Sequence, residues 1–170
     1  MSNDTGYDFG DDPGVPRGEG RSIEECVEHM RANASTNDKG DRNEREAADI
    51  LGRVYGKGNV DKVDAYSNSD PLRFIDVLAA KDPWPVRFVQ VKTNRFTAKD
   101  KLDYAARVER FDGSVCPEVW VRVDYEGWRL YRYVGDPDWW ECYLEMDTCD
   151  YDATVEAFRE RIGFYGGGPA

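Results

Sequence analysis

Leu72 to Thr93 reads LRFIDVLAAKDPWPVRFVQVKT. It holds two apolar runs, Leu72 to Ala80 and Val86 to Thr93, separated by the turn-forming Lys81 to Pro85. That pattern predicts two strands joined as a hairpin. Alternate side chains of a strand share a face, so Phe74, Asp76 and Leu78 are expected on one face. Gln90 and Lys92 are expected together on another, with Phe88 below them. Three polar groups thus interrupt otherwise apolar strands: Asp76, Gln90 and Lys92. An Asp between Ile75 and Val77 is a poor strand former. Singly, each has an ordinary account, as a solvated Asp or a lysine whose stem lies along apolar surface.

Outward from the hairpin, Asn59 to Tyr66 (NVDKVDAY) is a weaker strand. Before it, Asp41 to Tyr55 (DRNEREAADILGRVY) reads as a helix, with Asp41 as N-cap and Gly56 just past its end. Glu44, Ala47, Ala48, Leu51 and Tyr55 line one helical face. An acid there is expensive to bury unless it is paired or holds a metal; at the rim of the first turn the helix dipole favours it. After the hairpin, Thr97 to Phe111 reads as a helix capped by Thr97, with Leu102, Ala105, Ala106 and Glu109 on a common face. Glu118 to Asp124 and Trp128 to Val134 read as strands about a turn at Tyr125 to Gly127, and Asp152 to Ile162 as a terminal helix. The order is helix, three strands, helix, two strands, helix, an α/β class. The expected divisions are an acidic, largely disordered tail over 1–38 with a short helix at Ser22 to Asn33, a core over 39–134, and an acidic extension over 135–170.

The 170 residues suit one domain of ordinary size. No apolar run approaches the roughly 20 residues of a spanning helix, and the acidic, Gly/Pro-rich start does not resemble a secretory signal. A cytoplasmic protein is expected. Four cysteines without a CxxC pair and a single histidine, His29, leave little for a zinc site or a Ser-His-Asp triad. There is no P-loop and no dinucleotide fingerprint. The net charge of −11 argues against a nucleic-acid partner until its distribution is read: residues 39–132 carry +2, and the excess acid lies in the ends. Asp outnumbers Glu 21 to 13 and Arg outnumbers Lys 16 to 7, a composition resembling that of salt-adapted proteins.

Together, a helix acid, a strand acid and a strand Gln-Val-Lys supply what metal-assisted phosphodiester hydrolysis needs: carboxylates for Mg²⁺, and an ammonium that orients water and offsets developing charge. Here the sequence resembles the PD-(D/E)xK nuclease superfamily, and within it the archaeal Holliday junction resolvases. The motifs are Gly40 to Glu46 (GDRNERE), the serine-bearing Ser67-Asn68-Ser69, Asp76-Val77-Leu78-Ala79, and Gln90-Val91-Lys92. Ile75 stands where the family's pattern has proline, and Gln90 where it has Glu or Asp, which removes one negative charge from the metal site.

The resemblance implies a restriction-endonuclease-like αβββαβ core, with a central mixed sheet flanked by helices, and a Mg²⁺- or Mn²⁺-dependent DNA endonuclease acting as a homodimer. Asp76 is then the main metal ligand, with Glu44, the Gln90 side-chain oxygen and the Val91 carbonyl beside it, and Lys92 positions the attacking water. DNA contacts are expected from Arg42, Arg45, Ser67, Ser69, Arg73, Arg95, Lys99 and Lys101. Trp139-Trp140, read as a loop, is the expected subunit interface. The alternatives are a repair or restriction-type nuclease with another DNA substrate, and a non-catalytic DNA-binding or assembly protein that keeps the fold.

Overall fold

The computed structural model describes residues 23–63, 74–111 and 113–165, with side chains described from 38 to 162 within these ranges. Ser67, Ser69 and Arg73 lie outside the described residues. The chain divides into two units, Met1–Lys39 and Gly40–Ala170. Helix α1 runs Ile23–Tyr55, so the two helices expected at Ser22 to Asn33 and Asp41 to Tyr55 are one, and Asp41 is a helical residue and not an N-cap. Nothing at 34–39 forbids the helix: there is no proline, and the single Gly40 costs only about 1 kcal/mol. Among the described residues no helix is long and apolar enough to cross a membrane.

The second unit is α/β. After α1 come β1 (Val60–Lys62), β2 (Val77–Lys81), β3 (Trp84–Thr93), α2 (Ala98–Val108), β4 (Val115–Val123), β5 (Gly127–Gly135), β6 (Trp139–Glu145) and α3 (Tyr151–Tyr165). The strands form one mixed sheet in the order β1-β2-β3-β4-β5-β6. Every pairing is antiparallel except β3 with β4, the pair that needs a crossover and has α2 to provide it. The expected αβββαβ order is therefore present, with β5 and β6 added at the far edge.

Two apolar clusters show how the sheet is covered. The end of α1 and α3 pack on one face, through Leu51, Tyr55 and Phe158 against Val89, Val91 and Trp120. Val108 of α2 packs on the other, against Val119 and Val121. In β3 the residues Arg87, Val89 and Val91 are buried under α1 and α3, which turns Phe88, Gln90 and Lys92 to the α2 side, as the alternation predicts.

Three local readings are corrected. The buried side of α2 carries Ala105 and Val108 with the partly buried Lys101 and Tyr104, while Leu102, Ala106 and Glu109 are exposed. Positions 101, 104, 105 and 108 follow the helical repeat, and Lys101 lies along the aromatic rings below it. Trp139-Trp140 is not a loop but the start of β6. Trp140 is buried, and its indole N–H donates to the Lys101 carbonyl at 2.9 Å; Trp139 stacks on Tyr133. Both rings pack against their own chain, and Trp139 stays half-exposed. Finally, β2 starts at Val77, which leaves Asp76 just before the strand.

Candidate active site

The site lies where β2 begins and β3 ends. Asp76 is fixed through its backbone first: its N–H donates to Val89 O at 2.9 Å, and its carbonyl accepts from Val63 N–H at 2.8 Å. Held on both sides, the residue points its carboxylate along β3. There Oδ2 accepts the Val91 backbone N–H at 2.7 Å and the Gln90 side-chain amide at 2.6 Å. Gln90 and Lys92 share a strand face, so the acid, the amide and the ammonium belong to one end of one surface.

Burial dominates the electrostatics of Asp76. It pushes the carboxyl up to about 7, against the lowering effect of the Val91 N–H; the Glu44 charge raises it further, and Lys62 and Lys92 lower it. The carboxylate thus feels Glu44 from α1, Lys62 from β1 and Lys92 from β3.

Glu44 reaches this end because Asn43 anchors the helix. Asn43 is buried, and its amide donates to Thr93 Oγ1 at 2.8 Å, joining α1 to the last residue of β3. The Glu44 carboxylate then meets Lys62 Nζ at 3.2 Å, and the same ammonium is bonded to Asp41. That bond holds the Asp41 carboxyl below its usual range. Lys92 pairs with Asp100 at 3.4 Å and lies 5.6 Å from the centroid of the Tyr104 ring. Burial pushes Asp100 up, but its hydrogen bonds with Thr97 and the Lys92 charge bring it below the ordinary carboxylate range. Asp100 also closes a capping box with Thr97, so the partner of Lys92 is set by the start of α2.

Four residues singled out in the sequence, Glu44, Asp76, Gln90 and Lys92, therefore fall within one electrostatic neighbourhood. Sequence reasoning missed Lys62, Asp41, Asn43 and Asp100. A lysine in a weak three-residue strand has no pattern to mark it; its place follows from the register Lys62↔Val77. Of the expected DNA-contacting residues, Arg42, Arg95 and Lys99 are exposed. Arg45 is exposed but paired with Asp41 at 2.6 Å. Lys101 lies 5.5 Å from the ring centroids of both Phe96 and Tyr131.

The donor set has the chemistry of a hard cation site. Mg²⁺ takes oxygen ligands and is commonly held by one or two carboxylates with water. Glu44 and Asp76 supply two, and a cation would relieve the desolvation that raises Asp76. Among the described residues no three of His, Cys, Asp and Glu come together, so any further protein oxygen would come from an amide or a carbonyl. Gln90 Nε2 is the atom now facing Asp76; rotation of the amide would present Oε1 instead.

No protein-family model matches the chain, and no curated protein does. Among solved structures it is similar to Archaeoglobus fulgidus Hjc, a Holliday junction resolvase from an archaeal hyperthermophile, at 17% identity and a TM-score of 0.41, over 55% of this chain and 76% of that one.

Proposed function

We propose that the chain is a divalent-metal-dependent DNA endonuclease, resolvase-like in its substrate. The observation that carries this reading is the convergence on Asp76: a half-buried carboxylate gripped by Val91 and Gln90, its pKa raised by desolvation and by Glu44 and lowered by Lys92. In this proposal Glu44, Asp76, the Gln90 oxygen and the Val91 carbonyl hold Mg²⁺ or Mn²⁺. The ion supplies Lewis-acid polarisation of the phosphate and a more acidic water. Lys92 orients the attacking water and offsets charge at the phosphate, its ammonium positioned by Asp100 and the Tyr104 ring. Arg42, Arg95 and Lys99 supply phosphate contacts whose strength falls with added salt. A homodimer, which symmetric cutting of two strands requires, is part of the proposal.

A second reading is favoured by one observation. Lys62 and Arg45 already pair with Glu44 and Asp41, and Gln90 already satisfies Asp76. A site balanced by its own cations suits a protein that binds DNA without cutting it.

Incubation with a four-way junction, duplex or single strands, with Mg²⁺ or Mn²⁺ and in high salt, separates the two on a gel. Metal-dependent cleavage supports the nuclease; retarded but intact DNA supports the binder. Light scattering at micromolar concentration checks the dimer, and a monomer bound to uncut DNA would overturn symmetric resolution.

A further inference from the structure

Tyr125 is 98% exposed and has φ 64. That left-handed conformation is sterically costly for an L-residue, and only glycine, with occasional Asn or Asp, adopts it routinely. A ring fully in water repays none of that cost by packing. An exposed aromatic is ordinary and a strained turn is ordinary; a strained turn that presents an unpacked aromatic is a local conflict of the kind that gathers at functional positions.

The turn is also braced. Asn94 Oδ1 accepts the Asp124 N–H at 2.8 Å, and Asn94 Nδ2 donates to Asp124 Oδ2 at 2.9 Å. The Asn94 N–H donates to Arg122 O at 2.8 Å. On the far side Arg129 holds Glu126 at 2.6 Å. Gly127 sits so close to the Thr148 carbonyl that an added Cβ would lie 2.3 Å from it. Both acids flanking Tyr125 are thus engaged by neighbours, and the ring stands on a rigid mount. Asn94 is also the second residue after Lys92, so the mount is attached to the strand end that carries the candidate site. The exposed Arg95 follows it.

We infer that Tyr125 is a stacking platform for an unpaired nucleobase at the edge of the site. The substrate class is DNA whose base stack is opened, at a fork or junction, because continuous duplex offers no free base face. This rests on the nucleic-acid reading above. It adds a subsite that selects branched over continuous DNA, with Arg95 placed to meet a flanking phosphate.

The test is fluorescence anisotropy in EDTA, with a labelled fork and a duplex of equal length whose ends are closed by base-free ethylene glycol linkers. The proteins are wild type, Tyr125→Phe, Tyr125→Trp, Tyr125→Ala and Tyr125→Gly. Base–aromatic stacking predicts a loss of about tenfold in fork affinity for the Ala and Gly variants. The Phe and Trp variants are expected to retain it, and duplex affinity to stay constant throughout. Tyr125→Gly, freed of backbone strain, is expected to melt no lower than wild type, which separates lost stacking from lost structure. Equal fork affinity for wild type and Tyr125→Ala overturns the inference and leaves the nuclease reading standing. So does an equal loss on fork and duplex, or a changed oligomeric state with unchanged fork affinity. Wild-type protein that binds no DNA overturns both.

Discussion

The side-chain amide of Gln90 donates to the Asp76 carboxylate at 2.6 Å, on the same oxygen that accepts the Val91 N–H. An acid at position 90 would set two carboxylates against each other there. Gln90 gives the half-buried acid a neutral donor, so the hydrogen-bond network closes on protein groups.

Gln90→Glu tests that trade. The variant is expected to bind Mn²⁺ at least about tenfold more tightly by calorimetry, since a third carboxylate adds more than the 1.4 kcal/mol that tenfold represents. Without metal it is expected to melt lower than wild type at pH 8, because like charges share one site. Unchanged affinity would place position 90 outside the cation site.

Asp76 also makes stability depend on pH. Its folded pKa of about 7 lies above the ordinary 3.8, so the contribution is full below pH 4 and is lost as pH rises toward 7. Between those limits the unfolding free energy is expected to fall by about 1.4 kcal/mol per pH unit from this group. Urea melts of wild type and Asp76→Asn from pH 4 to 8, in EDTA, isolate the term: the difference between the two curves carries the slope. Parallel curves would contradict it.

The far end of β3 carries a second polar cluster with a structural role. Arg87 and Glu118 form an ion pair with side chains 5% and 0% exposed. Glu118 also accepts from Trp120 and Tyr143, each at 2.6 Å, and Arg87 donates to Tyr55 at 2.7 Å. Removing one partner of such a pair strands a buried charge, so Glu118→Ala is expected to cost about 3–5 kcal/mol by chemical denaturation. DNA affinity of the folded fraction should be unchanged. A cost below 1 kcal/mol would mean that water reaches the pair.

Gly127 has φ 118 and the close approach to Thr148 noted above. Gly127→Ala is expected to destabilise by more than about 1 kcal/mol and to loosen the turn that carries Tyr125. Hydrogen exchange at Tyr125 and Glu126 should rise; a neutral effect on both would contradict the brace.

The hairpin at β2 and β3 was legible because Val86 to Thr93 alternates cleanly and turn residues precede it. Asp76, Gln90 and Lys92 were legible for the related reason that polar groups stand out in apolar strands. β6 was not, because WWECYLE mixes acids with aromatics and follows a turn in which Trp139 itself has φ 54. The buried side of α2 was misassigned because Leu102 looks like core yet is 57% exposed, while the neighbouring Tyr104 carries the packing. Lys62 and Asn43 act through register and helix docking, which no local pattern encodes. Tyr125 was visible only as a turn residue; its strain exists only in the backbone.

The most direct test is single-turnover cleavage of a labelled junction in Mg²⁺ or Mn²⁺ by wild type, Asp76→Asn and Lys92→Met, with folding verified by circular dichroism. The account predicts metal-dependent strand scission by wild type. Both variants should lose at least about a hundredfold in rate while still binding the junction. Scission that persists at the wild-type rate in both folded variants, or none by wild type under any metal and salt condition, would contradict it.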